Sequence, residues 1–154
     1  MKPTAHSEIS SVCLPRHPAV AYLFLVRPKA MPKPITRLRK LAKQSDAGLP
    51  RATLAFYGPD NTRASKAVLG IFLHEDGEAI IHRYFSDDAD ARYTTEIQES
   101  VLARLREHDV RSLIMMEEIF GCPHEEGIDY PEGESCPQCP FWKGRDRFAA
   151  GDRV

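Results

Sequence analysis

Three of the four cysteines fall between residues 122 and 139, and a histidine follows the first of them by two positions. The segment reads Cys122-Pro123-His124, eleven residues, then Cys136-Pro137-Gln138-Cys139. Four soft or borderline donors within eighteen residues match a tetrahedral zinc site of three thiolates and one imidazole. A C-x2-C turn brings two thiolates to one ion while backbone N–H groups point at sulfur, and Pro137 and Pro140 keep that turn from winding into a helix. Gly127, Pro131 and Gly133 let the intervening chain fold back and close the site. The expectation is therefore a structural Zn2+ site with Cys122, His124, Cys136 and Cys139 as ligands, supplying order to a segment with little core of its own. The Cys-x-His arm is tighter than the usual spacing. Buried free cysteines are the plainer reading of these residues, and four cysteines are too few for a disulfide scaffold.

Two catalytic readings compete on the same residues. His124-Glu125-Glu126 followed by C-x2-C resembles the signature of zinc deaminases, which implies Glu126 as proton shuttle and His124, Cys136 and Cys139 as ligands. Ser135 stands where that signature has proline, and Cys122 is a surplus fourth ligand that closes the metal to water. Cys136-Pro137-Gln138-Cys139 also resembles the active-site pair of thioredoxin-like proteins, although such pairs follow a first strand and open a helix, unlike a position near the chain's end. The stretch from Gly121 to Arg147 resembles the tails of small bacterial proteins ending in a similar Cys-Pro-x-Cys-Pro-Phe-Trp sequence, a resemblance that implies no activity.

The net charge of −1 conceals two unlike halves. Residues 1–50 carry nine Lys or Arg against two acids, and residues 51–154 carry twelve against twenty. Seven bases and no acid lie from Arg27 to Lys43, while seven acids and no Lys or Arg lie from Glu117 to Glu134. Clustered bases suit a nucleic-acid partner, and they equally suit the acidic half of this chain or of a second copy. After the acidic stretch, Phe141 and Trp142 interleave with Lys143, Arg145, Arg147 and Phe148, a combination found where bases stack and phosphates are held. Packing of the aromatic pair over the metal site is the simpler expectation. No apolar run approaches the roughly 18 residues of a membrane-spanning helix; Ala19–Val26 is eight long and is a poor signal sequence because Pro15, Arg16, His17 and Pro18 precede it. The expected location is the cytoplasm.

Three regions follow from the composition. Residues 1–34 are basic and rich in proline, with little regular structure expected; Ala19–Val26 is a candidate edge strand or cover for an apolar patch, and Met31 a candidate start site. Residues 35–120 form the body. Ile35, Leu38, Leu41 and Ala42 recur at helical spacing, with Arg37, Lys40 and Lys43 on the other side. Thr53–Tyr57, Lys66–Leu73 and Ala79–Phe85 read as three strands, the last two joined across Asp76-Gly77. Ser86, Asp87, Asp88 and Asp90 are placed to open a helix with the stripe Tyr93, Ile97, Val101, Leu102 and Leu105. Leu113–Met116 reads as a strand covered on both faces. Residues 121–154 are the metal-binding tail, packed on the body.

That order predicts an α+β fold: a helix, a three-stranded antiparallel meander, a crossover helix and a fourth strand parallel to one of the meander, with a C-terminal zinc knuckle. An RNase H-like nuclease needs an acid on the first strand, and residues 52–57 have none. A restriction-endonuclease-like core shares the element order, and Pro59-Asp60 followed by Glu78 resembles its acidic pattern, but Ile80 occupies the lysine's place. The function expected from sequence is a zinc-stabilised binding or adaptor module for a protein or nucleic-acid partner, possible also as a homo-oligomer. Arg37, Lys40, Lys43, Trp142, Lys143, Arg145 and Arg147 are its candidate contact residues. The alternative is a metal-dependent hydrolase, nuclease-like or with Glu126 as base.

Overall fold

The first element among the described residues, α1, spans Pro34–Gln44 and opens on proline, whose missing N–H costs nothing at a helix start. A computed structural model of the chain describes residues 32–44 and 48–145. Ala19–Val26, Met31 and Arg147 lie outside the described residues, as does nearly all of the basic arm. Four strands and a second helix follow: β1 (Arg51–Tyr57), β2 (Lys66–Phe72), β3 (Ile80–Phe85), α2 (Thr95–Glu107) and β4 (Ser112–Ile119).

The strands form one mixed sheet in the order β3-β2-β1-β4. β1 and β2 pair antiparallel, β2 and β3 likewise, and β4 lies parallel to β1 after the α2 crossover. The α+β order expected from the sequence is therefore present. Strand alternation sends Ala52, Leu54 and Phe56 of β1, Leu69 and Ile71 of β2 and Leu113 of β4 into one core. Leu38 of α1 and Ile97, Val101, Leu102 and Leu105 of α2 meet them there. Both helices cover this one face, α1 beside β4 and α2 beside β2, and they touch each other.

Two elements depart from the sequence reading. The helix expected to open at Ser86–Asp90 begins only at Thr95, and Tyr93 stands outside it, 61% exposed. Residues 86–91 are tied to the β1–β2 connection instead: Ser86 N–H donates to Ser65 O and Ala91 N–H to Ala64 O, while Arg92 reaches Thr62 O. Backbone groups spent on that pairing cannot enter a helix. Asp90 is no cap, and its carboxylate holds the guanidinium of Arg92 at 2.6 Å. The second departure is β4, which was expected to be covered on both faces. It is an edge strand whose Ile114 is 56% exposed, because the helices cover only the face that Leu113 and Met115 share.

Candidate metal centre

β4 leads directly into the tail. Phe120 N–H donates to Phe56 O and Gly58 N–H to Gly121 O, so the chain runs alongside the end of β1 and delivers Cys122 there. Gly58 itself has no room for a side chain, since a Cβ on it would lie 2.2 Å from the carbonyl oxygen of Arg63 within the β1–β2 turn. Beyond Cys122 the loop folds back on positive-φ glycines, Gly127 (78°) and Gly133 (80°). Gly127 N–H donates to Tyr130 O, and Gly133 N–H donates to a carboxylate oxygen of Glu126 at 2.6 Å. A single 3-10 turn, Pro140–Trp142, closes the segment.

The fold-back brings Cys122, His124, Cys136 and Cys139 together, with their ligand atoms all within 4.8 Å of one another. His124 Nδ1 stands 3.4 Å from Cys122 Sγ, 3.5 Å from Cys136 Sγ and 3.3 Å from Cys139 Sγ. One ring nitrogen cannot hydrogen-bond three thiols at once, since it carries one proton or one lone pair. A tetrahedral Zn2+ with Zn–S about 2.3 Å and Zn–N about 2.0 Å has a nitrogen-to-sulfur edge of about 3.5 Å. These four residues can hold a metal ion, and the donor set fits it. The three cysteines are buried. Burial pushes the Cys122 and Cys139 thiols up, and for Cys139 the neighbouring sulfur of Cys122 adds to it. Gathering them as thiolates requires a cation, and coordination supplies one.

Around the cluster the tail has a small core of its own. Tyr130 and Trp142 pack on the cysteines, and Phe141 meets the Trp142 ring edge-on at 4.9 Å. The Trp142 indole N–H donates to Gly58 O at 2.8 Å, fastening the tail to the end of β1. Arg145 lies over the Phe141 ring at 4.2 Å, and Lys143 is exposed.

A second attachment is ionic. Lys66 of β2 and Arg83 of β3 point from the sheet face opposite the helices, and both grip the carboxylate of Glu125, at 2.6 and 2.7 Å. Lys66 also donates to Pro123 O at 2.9 Å. Its side chain is only 5% exposed, so the ammonium is neutralised by the tail. The bonds from Arg83 and then Lys66 hold the Glu125 carboxyl down at about 2. In the sequence Glu125 stands in an acidic run, inside His124-Glu125-Glu126, and Lys66 at the start of a strand, with nothing to link them. The period-2 pattern places Lys66 and Arg83 on one face, but nothing local marks the acid that meets them. A cavity of about 290 Å3 remains between sheet and tail, lined by Tyr57, Lys66, Arg83, His124, Glu125 and Glu126 among others.

The remaining candidate residues are not members of the four-residue cluster. On α1, Lys40 and Lys43 are exposed, whereas Arg37 is paired with Glu99 at 3.5 Å. Glu126 is exposed, with one carboxylate oxygen engaged by Gly133. Asp60 accepts from Thr62 in the β1–β2 turn, and Glu78 precedes β3 at the opposite end of the sheet, so these two acids do not converge. No protein-family model matches the chain, and neither a curated protein nor a solved structure matches it.

Proposed function

We propose that the chain is a zinc-stabilised binding module of the cytoplasm, in which the metal orders the tail and the tail is fastened to the sheet. The observation that carries this reading is the equidistance of three sulfurs from one imidazole nitrogen, 3.3–3.5 Å, at the edge length of a zinc tetrahedron. Four protein ligands fill a tetrahedral shell, which is the arrangement of a structural ion rather than a catalytic one. Its tail is then related to the similar Cys-Pro-x-Cys-Pro-Phe-Trp endings of small bacterial proteins. The contact surface for a protein or nucleic-acid partner is basic: Lys40 and Lys43 on α1, and Lys143, Arg145 and Arg147 after the metal site. Trp142 serves it indirectly by fastening the tail to the end of β1.

Metal content of the protein purified without added metal tests the first half of this reading, one zinc per chain being expected. Cys122→Ser tests the role of the ion. Loss of tail order supports the structural assignment, and a folded tail with an exchangeable metal-bound water supports a hydrolase in which Glu126 acts as base. Affinity for nucleic acid that does not fall with added salt contradicts a phosphate-binding role.

A further inference from the structure

Among the described residues, the sheet face turned away from the helices is covered over only half its length. The tail stands on the half around Tyr57, Lys66 and Arg83. Toward the other end, Ile81 is 43% and Ile114 56% exposed, and they lie in one row across the sheet, joined through Gly70 and Thr53. Phe72 lies next to that row beneath the guanidinium of Arg51, at 5.9 Å. The tail offers an apolar side chain of its own to solvent, Ile128, at 77% exposure. An apolar row beside a raised tail with an exposed isoleucine forms a step.

The charges on this face run from one end to the other. Arg51 marks the open end and has no ion pair with an acid among the described residues. Glu117 is held by Arg39 on the helix side, and Glu118 beside it, in the irregular stretch of β4 at the tail end, is exposed. The tail beyond it adds Glu132 and Glu134 and no base as far as Glu134. Consider a second copy related by a two-fold axis lying between the faces and perpendicular to the strands. Strand direction reverses, the raised tail of each copy fills the open half of the other, and the Arg51 end meets the acidic end. An axis parallel to the strands instead stacks tail on tail and acid on acid. We propose that this half-covered sheet face is an isologous dimer interface, in which each copy's tail, with Ile128, covers the apolar row and Arg51 of the other.

This inference rests on the tail being ordered by metal, as proposed above. Sedimentation equilibrium of the full-length chain, with zinc content measured on each sample, is the test. A dimer is expected for the zinc-loaded protein. Ile114→Glu and Arg51→Glu should each weaken it at least about tenfold without changing zinc content or melting temperature of the monomer, and adding Glu118→Arg to Arg51→Glu should restore it. A zinc-loaded monomer at every concentration overturns the dimer alone, the face then being left to residues 1–31 or to another protein. A metal-free monomer overturns both this inference and the metal reading. A dimer indifferent to Ile114→Glu and Arg51→Glu places the interface elsewhere and also overturns the proposal.

Discussion

Glu125 sits one residue from His124 of the cysteine–histidine cluster, yet its carboxylate is directed at the sheet, where Lys66 and Arg83 receive it. Glu125→Gln leaves the Lys66 ammonium with 5% exposure and no counter-charge. Breaking a buried pair costs about 3–5 kcal/mol, and because the Glu125 side chain is 30% exposed the expected loss is smaller, roughly 2–3 kcal/mol in denaturant unfolding of the zinc-loaded protein. Lys66→Met combined with Glu125→Gln should cost less than the sum of the two single changes; additive losses show that the pair does not interact. Asp90 supplies a pH test away from the metal. Burial alone raises its carboxyl, but the bonds from Arg92 more than offset that, and the folded value lies below the ordinary one. A depressed carboxyl contributes stability above its unfolded value of about 3.9, and that contribution disappears as pH falls through the lower folded value. Asp90→Asn should therefore destabilise at pH 7, and the difference from the parent should shrink below about pH 4. A difference constant with pH removes the ion pair from the account.

Among the elements, β2 is the strand flanked by β1 and β3, and Leu69 at its middle is fully buried. Leu69→Ala should cost about 2–5 kcal/mol, measured by chemical denaturation with unchanged zinc content. Gly58→Ala acts at a junction of elements, because its Cβ meets the Arg63 carbonyl oxygen, a backbone atom that cannot swing aside. Because the Gly58 backbone also bonds Gly121 and Trp142, the displacement should loosen the tail, read by hydrogen exchange at residues 121–145, and unchanged exchange there contradicts that link. Periodicity made the strands and helices legible: Leu54 and Phe56 alternate, and Ile97, Val101 and Leu105 repeat every turn. Donor spacing made the convergence of Cys122, His124, Cys136 and Cys139 legible. What the sequence hid was non-local. Ser86–Asp90 look like a helix start because caps are local signals, but pairing with residues 64 and 65 takes their backbone first. Leu113–Met116 look buried because apolar runs usually are, but which strand falls at an edge is a property of the sheet order.

At the scale of the whole molecule, side chains of the tail fasten it to the sheet, the Trp142 indole on Gly58 and the Glu125 carboxylate on Lys66 and Arg83, beside the bonds to the backbone carbonyls of Gly121 and Pro123. Both side chains sit within a few residues of the cysteine–histidine cluster, so an ion bound there would couple order in the tail to docking of the tail on the sheet. The body has its own core of strands and helices, separate from the cysteine cluster. Removing the ion should therefore release the tail while leaving the sheet folded. None of the described helices is long and apolar enough to cross a membrane. The most direct measurement is native mass spectrometry of the protein purified without added metal, before and after a strong chelator, with a melting curve and hydrogen exchange on each sample. One zinc per chain, lost on chelation together with protection of residues 121–145, is the predicted result. A chain that carries no metal, or one whose tail keeps its protection after the metal is gone, contradicts the account.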